Sequence, residues 1–356
     1  MIFFEQKKCI IYEYSLNKKK ISLITAMILH SFFFVFIVFW LRGDILDNKY
    51  QKRILFVGMP DMALVVFKRL LDKGFNIAGI IPPDKANETF PTMEKLAKNF
   101  NLPFLPYSDL KDTKFLKEVK KLNADIGIVC SFNKKFPKEF LETTKDGFLN
   151  CHPSLLPYYR GGNPYSAVIN NHEKVTGVTL HFMDENFDTG DVVLQVRVDI
   201  EPNETMGTLF NKLNFTCADA VEVALEKYEQ IGSLPREPQP EGDFIKAPNF
   251  VPNSYETFIN WKDKCENIEA KIRSLNPFII ASTIFRHHKM DIYSCEYEIC
   301  NTNLEAGVIA DLTKGLGISC SDGIIHIKAL KIGTYMVTDG LDFVKRFSPK
   351  IGEKVG

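Results

Sequence analysis

Gly147-Phe148-Leu149-Asn150-Cys151-His152 reads as a short strand, an apolar run that ends in an amide and an imidazole. Residues two apart on a strand share a face. Asn150 and His152 therefore project together, while Cys151 turns to the opposite side and into packing. The next stretch, Pro153-Ser154-Leu155-Leu156-Pro157-Tyr158-Tyr159-Arg160-Gly161-Gly162-Asn163-Pro164, is dense in Pro and Gly and reads as an ordered loop. Further on, Asp188-Thr189-Gly190-Asp191 lies in a loop (Asp184 to Asp191) between two strand-like runs, Val175–Phe182 and Val192–Ile200. An amide donor, a titratable ring and a carboxylate are the parts that acyl transfer to an amine requires.

Upstream, apolar strands alternate with amphipathic helices. Arg53–Gly58 reads as a strand, and Asp61 caps a helix that Gly74 stops. Ile77–Ile81 is the next strand. Met93–Phe100 is helical, Pro103–Leu105 a short strand, and Asp112 caps a helix through Leu122. Asp125–Cys130 is a buried strand and Pro137–Thr143 a short helix. This alternation predicts an α/β fold with a doubly wound, mostly parallel sheet. Ligands of such sheets sit beyond the C-terminal strand ends, where Asn150 and His152 fall. Gly58-Met59-Pro60-Asp61 offers one Gly in place of a G-x-G-x-x-G turn, which argues against a nucleotide cofactor there.

Downstream, Tyr165–Asn171 and Thr205–Glu229 read as helices, and a Pro- and charge-rich linker begins at Ser233. After an amphipathic helix (Lys264–Leu275) come short strand-like runs: Met290–Tyr297, Gly307–Asp311, Gly317–Cys320 and Ile324–Leu330. They predict a small β-barrel domain. The organisation expected is an apolar extension over 1–50, a catalytic domain over 51–232, a linker over 233–254 and a barrel over 255–356.

The chain of 356 residues is long enough for two such domains. Lys+Arg and Asp+Glu both number 44, so no bulk positive field draws nucleic acid, although a local patch is compatible with zero net charge. The eight cysteines form no CxxC and no Cys/His zinc spacing, and they read as reduced thiols of a cytoplasmic fold.

Asn-x-His, the Ser154–Pro157 SLLP, Arg160-Gly161, Thr176-Gly177-Val178-Thr179 and Asp188-Thr189-Gly190-Asp191 occur in order. In that order and at that spacing they resemble the 10-formyltetrahydrofolate-dependent formyltransferase family, over roughly residues 52–232. The remainder resembles the family's C-terminal domain, an OB-like barrel, from Phe258-Ile259-Asn260-Trp261 and Ser274-Leu275-Asn276-Pro277 onward. The resemblance implies a formyltransferase Rossmann-like domain, 10-formyltetrahydrofolate as cosubstrate, and no metal. It implies that Asn150 stabilises the oxyanion, that His152 exchanges protons, and that Asp188 orients His152 or accepts the amine proton. It further implies that Ser154, Leu155, Leu156 and Pro157 shape the folate pocket, with Phe132 lining the pterin site or packing in the core. Arg160 binds an anionic group of the acceptor or forms a structural ion pair.

Two partner classes remain for the amine. The loop Pro82–Pro91 is short and carries Lys85 against Asp84 and Glu88, and Gly161-Gly162-Asn163-Pro164-Tyr165 follows Arg160. Both features resemble the enzymes that formylate nucleotide-linked amino sugars, the acceptor expected first. Methionyl-tRNA stands second, with Lys134, Lys135, Lys138, Lys262 and Lys264 as its basic surface. A folate-binding protein without transfer activity is the reading of another class.

Ile21–Leu41 is a run of 21 residues without a formal charge, long enough to cross a bilayer. Three readings stay open for it: a genuine anchor, a signal-like segment, or residues upstream of the true start. The last is preferred because the folded pattern begins near Lys52. Membrane contact is expected only if the segment is genuine.

Overall fold

Ile54 and Phe56 are fully buried in one core, while Leu55 and Val57 are fully buried in another. A strand that hides alternate residues in two cores must be covered on both faces, and the rest of the first domain follows from that. The computed structural model describes residues 48–249, 254–337 and 339–356. The run Ile21–Leu41 lies outside these. No helix among the described residues is long and apolar enough to cross a membrane.

The strands are β1 (Arg53–Gly58), β2 (Asn76–Ile81), β3 (Ile126–Cys130), β4 (Phe148–His152), β6 (Val175–Phe182) and β7 (Val192–Asp199), with a two-residue β5 (Arg160–Gly161) in the loop after β4. The sheet runs β2-β1-β3-β4-β6-β7. β2, β1, β3 and β4 are parallel, whereas β6 and β7 are antiparallel to their neighbours. The order reverses beside β1, which opens the crevice characteristic of doubly wound sheets. Helices Met62–Asp72 and Met206–Ile231 cover one face with Ile54, Phe56, Ile128, Leu149 and Cys151. Cys151 is buried beside Cys217 of the second helix, as the strand alternation predicts. The opposite face holds Phe136, Phe140 and Phe148, whose rings lie 4.6–5.3 Å apart.

Local signals explain some of the element ends. The Asp112 carboxylate accepts from the N–H groups of Lys114 (2.7 Å) and Phe115 (2.9 Å), and Thr205 and Thr208 form a reciprocal cap. Gly232, in the left-handed region at φ 83°, ends the long helix. The expected Asp61 cap is not made. Asp61 precedes its helix at φ 93°, outside the extended region a cap needs, and its carboxylate reaches no helix N–H. The short strand expected at Pro103–Leu105 reduces to one bridge, Phe104 to Ile80.

The second domain is an antiparallel sheet, β11 (Ile309–Asp311), β12 (Leu316–Ser319), β13 (Gly323–Ile332), β10 (His288–Ile299) and β9 (Ala281–Phe285), with β14 (Tyr335–Val337) paired to β13. Helix Cys265–Leu275 and helix Gly340–Phe347 cover its core of Ile292, Ile318, Ile325 and Phe343. Val355 N–H donates to Gly307 O and Gly356 N–H to Ile284 O, both at 2.8 Å. The final residues thus tie the β11 side to β9 across the open side of this half-barrel. The domains dock through Asn276 and Pro277: Gly207 N–H donates to Asn276 O at 3.1 Å, and a Cβ on Gly207 would lie 2.5 Å from Pro277 Cδ. The segment between the domains is no free tether. Glu237 pairs with Val192, and β8 (Lys246–Ala247) pairs with β5.

Gly127 faces Phe148 across β3 and β4, and a Cβ there would come 2.0 Å from the ring. Gly127→Ala should therefore destabilise the protein by about 1–3 kcal/mol through overpacking. A denaturant midpoint equal to that of the unchanged protein would show that the β3–β4 contact is looser than this packing requires.

Candidate active site

β4 carries its polar residues on the aromatic face. Phe148 joins the ring cluster, and two and four residues later Asn150 and His152 take its place at the strand's C-terminal end. The antiparallel register of β4 with β6 sets Asn150 opposite His181 and His152 opposite Thr179. Asp188 arrives from the β6–β7 loop at φ 59°, a left-handed conformation uncommon for a residue with a side chain. Gly190 is demanded there because a Cβ would fall 2.0 Å from Phe182 O. Thr189 fastens the loop by donating its hydroxyl to both oxygens of Asp184, at 2.7 and 2.8 Å.

Asn150, His152 and Asp188 come together as the sequence predicts. His152 Nδ1 lies 3.5 Å from Asp188 Oδ1, and Asn150 Nδ2 lies 3.4 Å from the same oxygen. Asp188 Oδ2 accepts from the Gly161 N–H at 3.1 Å. The His152 side chain is 6% exposed and that of Asp188 11%, so the carboxylate depends on the Asn150 and Gly161 donors rather than on water. His152 Nε2 lies 2.9 Å from Tyr159 O, a pure acceptor, so Nε2 carries a hydrogen and Nδ1 is the atom turned to Asp188.

His181 is the residue that sequence reasoning missed. Its Nδ1 donates to Phe182 O at 2.8 Å, which leaves Nε2 as an acceptor 3.1 Å from Asn150 Nδ2. That tautomer turns the nitrogen of the Asn150 amide toward Asp188. Burial holds the imidazole down to about 4; the neighbouring His152 adds to this, while Asp188 and the Phe182 carbonyl pull upward. The alternation Thr179-x-His181 along β6 hinted at a shared face, but only the cross-strand register reveals that the face is that of Asn150.

The SLLP loop is internally satisfied. Thr179 Oγ1 donates to Ser154 O and accepts from Leu156 N–H, Gln195 Nε2 donates to Leu156 O, and Ser154 Oγ donates to Tyr158 O, all within 3.0 Å. Ser154, Leu156 and Pro157 are buried and Leu155 is half-buried. These residues hold the shape of the rim. Arg160 gives its Nε and Nη2 to the side-chain oxygen of Gln239 (3.2 and 2.5 Å). Phe132 packs between Tyr107 and Phe136, behind a groove of about 500 Å³ lined by Tyr107, Lys134, Phe136 and Glu185. Glu185, from the same loop as Asp188, is among the lining residues, while Asn150, His152 and Asp188 are not.

The depressed His181 fixes the sign of an acid response. Between about 6.5 and about 4 the imidazole of an unfolded chain takes a proton that the buried ring refuses, so stability falls as pH drops through that window and levels off below it. His181→Gln should flatten this part of the stability–pH curve, read as denaturant midpoints at pH 7 and pH 5. An unchanged slope in the variant would contradict the buried, neutral ring.

The family model described as formyl transferase matches residues 81–223, and the one described as formyl transferase, C-terminal domain, matches residues 253–348. The chain is 32% identical over 287 residues to a methionyl-tRNA formyltransferase of Clostridioides difficile, covering 79% of this chain and 92% of that one. It is 29% identical over 313 residues to the methionyl-tRNA formyltransferase of Bacillus subtilis, covering 85% and 98%. Among solved structures, an N-formyltransferase from Helicobacter canadensis in complex with folinic acid and dTDP-3-aminofucose matches with a TM-score of 0.59 at 19% identity, over 78% of this chain and 98% of that one. HypX from Aquifex aeolicus in complex with tetrahydrofolic acid matches with a TM-score of 0.57 at 17% identity, over 85% and 48%. At such identities the solved structures speak for the fold alone. The sequence relatives and both domain models go further, and the chain belongs to the formyltransferase family.

Proposed function

We propose that this enzyme moves a formyl group from 10-formyltetrahydrofolate to the amine of methionyl-tRNA. The transfer chemistry rests on one observation, the meeting of Asn150, His152 and Asp188 around a single carboxylate oxygen. The acceptor rests on the sequence relatives, methionyl-tRNA formyltransferases at 28–32% identity across both domains. The sugar enzymes are similar in fold at 17–20% identity. This ordering reverses the one that the short Pro82–Pro91 loop suggests.

The residues present suit a folate. The groove shared with the Asp188 loop offers Tyr107 and Phe136 as apolar walls and Lys134 at its rim, and Phe132 backs the wall rather than forming it. The bound folate supplies the electrophile, a formyl carbon attached to nitrogen. Asn150 directs an amide N–H at the formyl oxygen as negative charge builds there, giving up its long contact to Asp188. His181 keeps that amide nitrogen facing the reacting carbonyl. His152, with Nε2 committed to Tyr159 O, takes up the amine proton at Nδ1 from the Asp188 side and passes it to the folate nitrogen as the bond between that nitrogen and the formyl carbon breaks. Asp188 holds the imidazole and offers its carboxylate to the proton leaving the amine.

The deciding assay supplies 10-formyltetrahydrofolate with methionyl-tRNA in one arm and nucleotide-linked amino sugars in the other. The expected result is turnover with the tRNA and background with the sugars; turnover with the sugars alone would overturn the acceptor. Asn150→Ala should lower kcat by about 10²–10³-fold. His181→Leu should lower kcat by about tenfold or more, because the amide loses its acceptor. His181→Gln, which keeps a carbonyl acceptor, should recover most of that loss. Equal kcat in both His181 variants and the unchanged enzyme would remove His181 from the mechanism.

A further inference from the structure

Every member of the polar cluster comes from residues 150–188, yet one side chain reaches the Asp188 loop from the segment between the domains. Gln239 Nε2 donates to Asp188 O at 3.0 Å and to Gly190 O at 2.8 Å. Its Oε1 accepts from Arg160 Nε and Nη2. Arg160 precedes Gly161, whose N–H bonds Asp188 Oδ2. One amide thus grips the backbone on both sides of Thr189 and also braces the strand that supplies a hydrogen bond to the carboxylate. From Pro235 to Asp243, Gln239 alone is turned in; its neighbours are exposed.

The local chain is built to hold this side chain still. Pro238 and Pro240 flank Gln239, fixing φ on either side and restricting the Gln itself to extended backbone. Glu237 is pinned to Val192 by two backbone hydrogen bonds (2.8 and 3.0 Å), and the Arg236 guanidinium lies 3.3 Å from the centroid of the Phe182 ring. Further along, Tyr159 N–H donates to Ile245 O at 2.6 Å, and β8 pairs with β5. The segment is a strap anchored on both sides of the loop it crosses. The brace holds Asp188 in the left-handed region, which few residues with a side chain adopt although Asp is among those that enter it most readily.

We propose that Gln239 is a positioning residue for formyl transfer: its side-chain amide locks the Asp188 loop and the Arg160–Gly161 strand together and so sets the carboxylate against His152 and Asn150. This rests on the reading of Asp188 as part of the reacting cluster. Gln239→Met keeps length and removes both hydrogen-bonding ends. Gln239→Glu keeps an acceptor for Arg160 but sets a carboxylate against two carbonyl oxygens.

The test is a double-mutant cycle on the full chain with 10-formyltetrahydrofolate and methionyl-tRNA, read as single-turnover rates. In the unchanged background both Gln239 variants should lose about 10- to 100-fold in rate, with KM for either substrate within about threefold. In an Asp188→Ala background Gln239→Met should have no further effect, because the group it positions is gone. An equal loss in both backgrounds, or a loss confined to KM, would overturn the inference while leaving the reading of the site intact. Full activity of Asp188→Ala itself would sink the site and the positioning role together.

Discussion

A single carboxylate, almost shut off from water, organises the first domain's polar end. Asp188 is stable there because two donors converge on it, a backbone N–H from the loop after β4 and an amide from β4, with the Nδ1 of His152 facing it two residues further along the same strand. Removing either donor leaves a buried charge short of a partner, which costs more than the hydrogen bond itself is worth. The arrangement constrains the surrounding chain. The loop must present Asp188 in a left-handed conformation, the residue two further on must lack a side chain, and the antiparallel β6 must run beside β4 in one register.

That register also decides the protonation pattern. His181 is tied at Nδ1 to a backbone carbonyl of its own strand end and so can only accept at Nε2. The consequence passes to Asn150, whose nitrogen and oxygen would otherwise be interchangeable by a flip of the amide. A buried neutral ring here works as a fixed acceptor across the physiological range, which a carboxylate could not do beside Asp188 without like-charge repulsion. Two imidazoles in one site thereby carry different duties, one locked and one free at Nδ1.

Much of this was legible in the sequence. The strand–helix alternation from Arg53 to His152 gave the doubly wound sheet because buried parallel strands leave continuous apolar runs that few other structures need. Asn150, His152 and Asp188 were readable because their spacing and order are specific. His181 was not, since an isolated His on an apolar strand carries no signal until its cross-strand partner is known. Gln239 was hidden for a different reason: a Pro- and charge-rich segment has the composition of a tether, and only its pairing with Val192 and β5 makes it part of the site. β9, β14 and the Gly340–Phe347 helix also escaped notice, being short elements whose apolar residues face one small core. The Asp61 cap failed because composition proposes a cap but backbone geometry decides it.

The acceptor is chosen outside this cluster, since any primary amine presents the same nitrogen to the same carbon. The surface next to the groove bears on the choice. Lys134 is paired with Asp84 at 2.8 Å, Lys135 hydrogen-bonds Asn186 at 3.4 Å, and Lys138 lies 3.9 Å from Glu142. With Lys134 and Lys138 matched by carboxylates, this looks like a poor reception for a polyanion. The pairs are exposed, however, and exposed ion pairs contribute about 0–1 kcal/mol. A phosphate that takes Lys134 from Asp84 gives up little and gains a charge-assisted contact. With a net charge of zero and such exchangeable pairs, a nucleic-acid acceptor of the kind proposed would be held by a few local contacts, and its binding should respond to salt less steeply than that of a strongly basic protein.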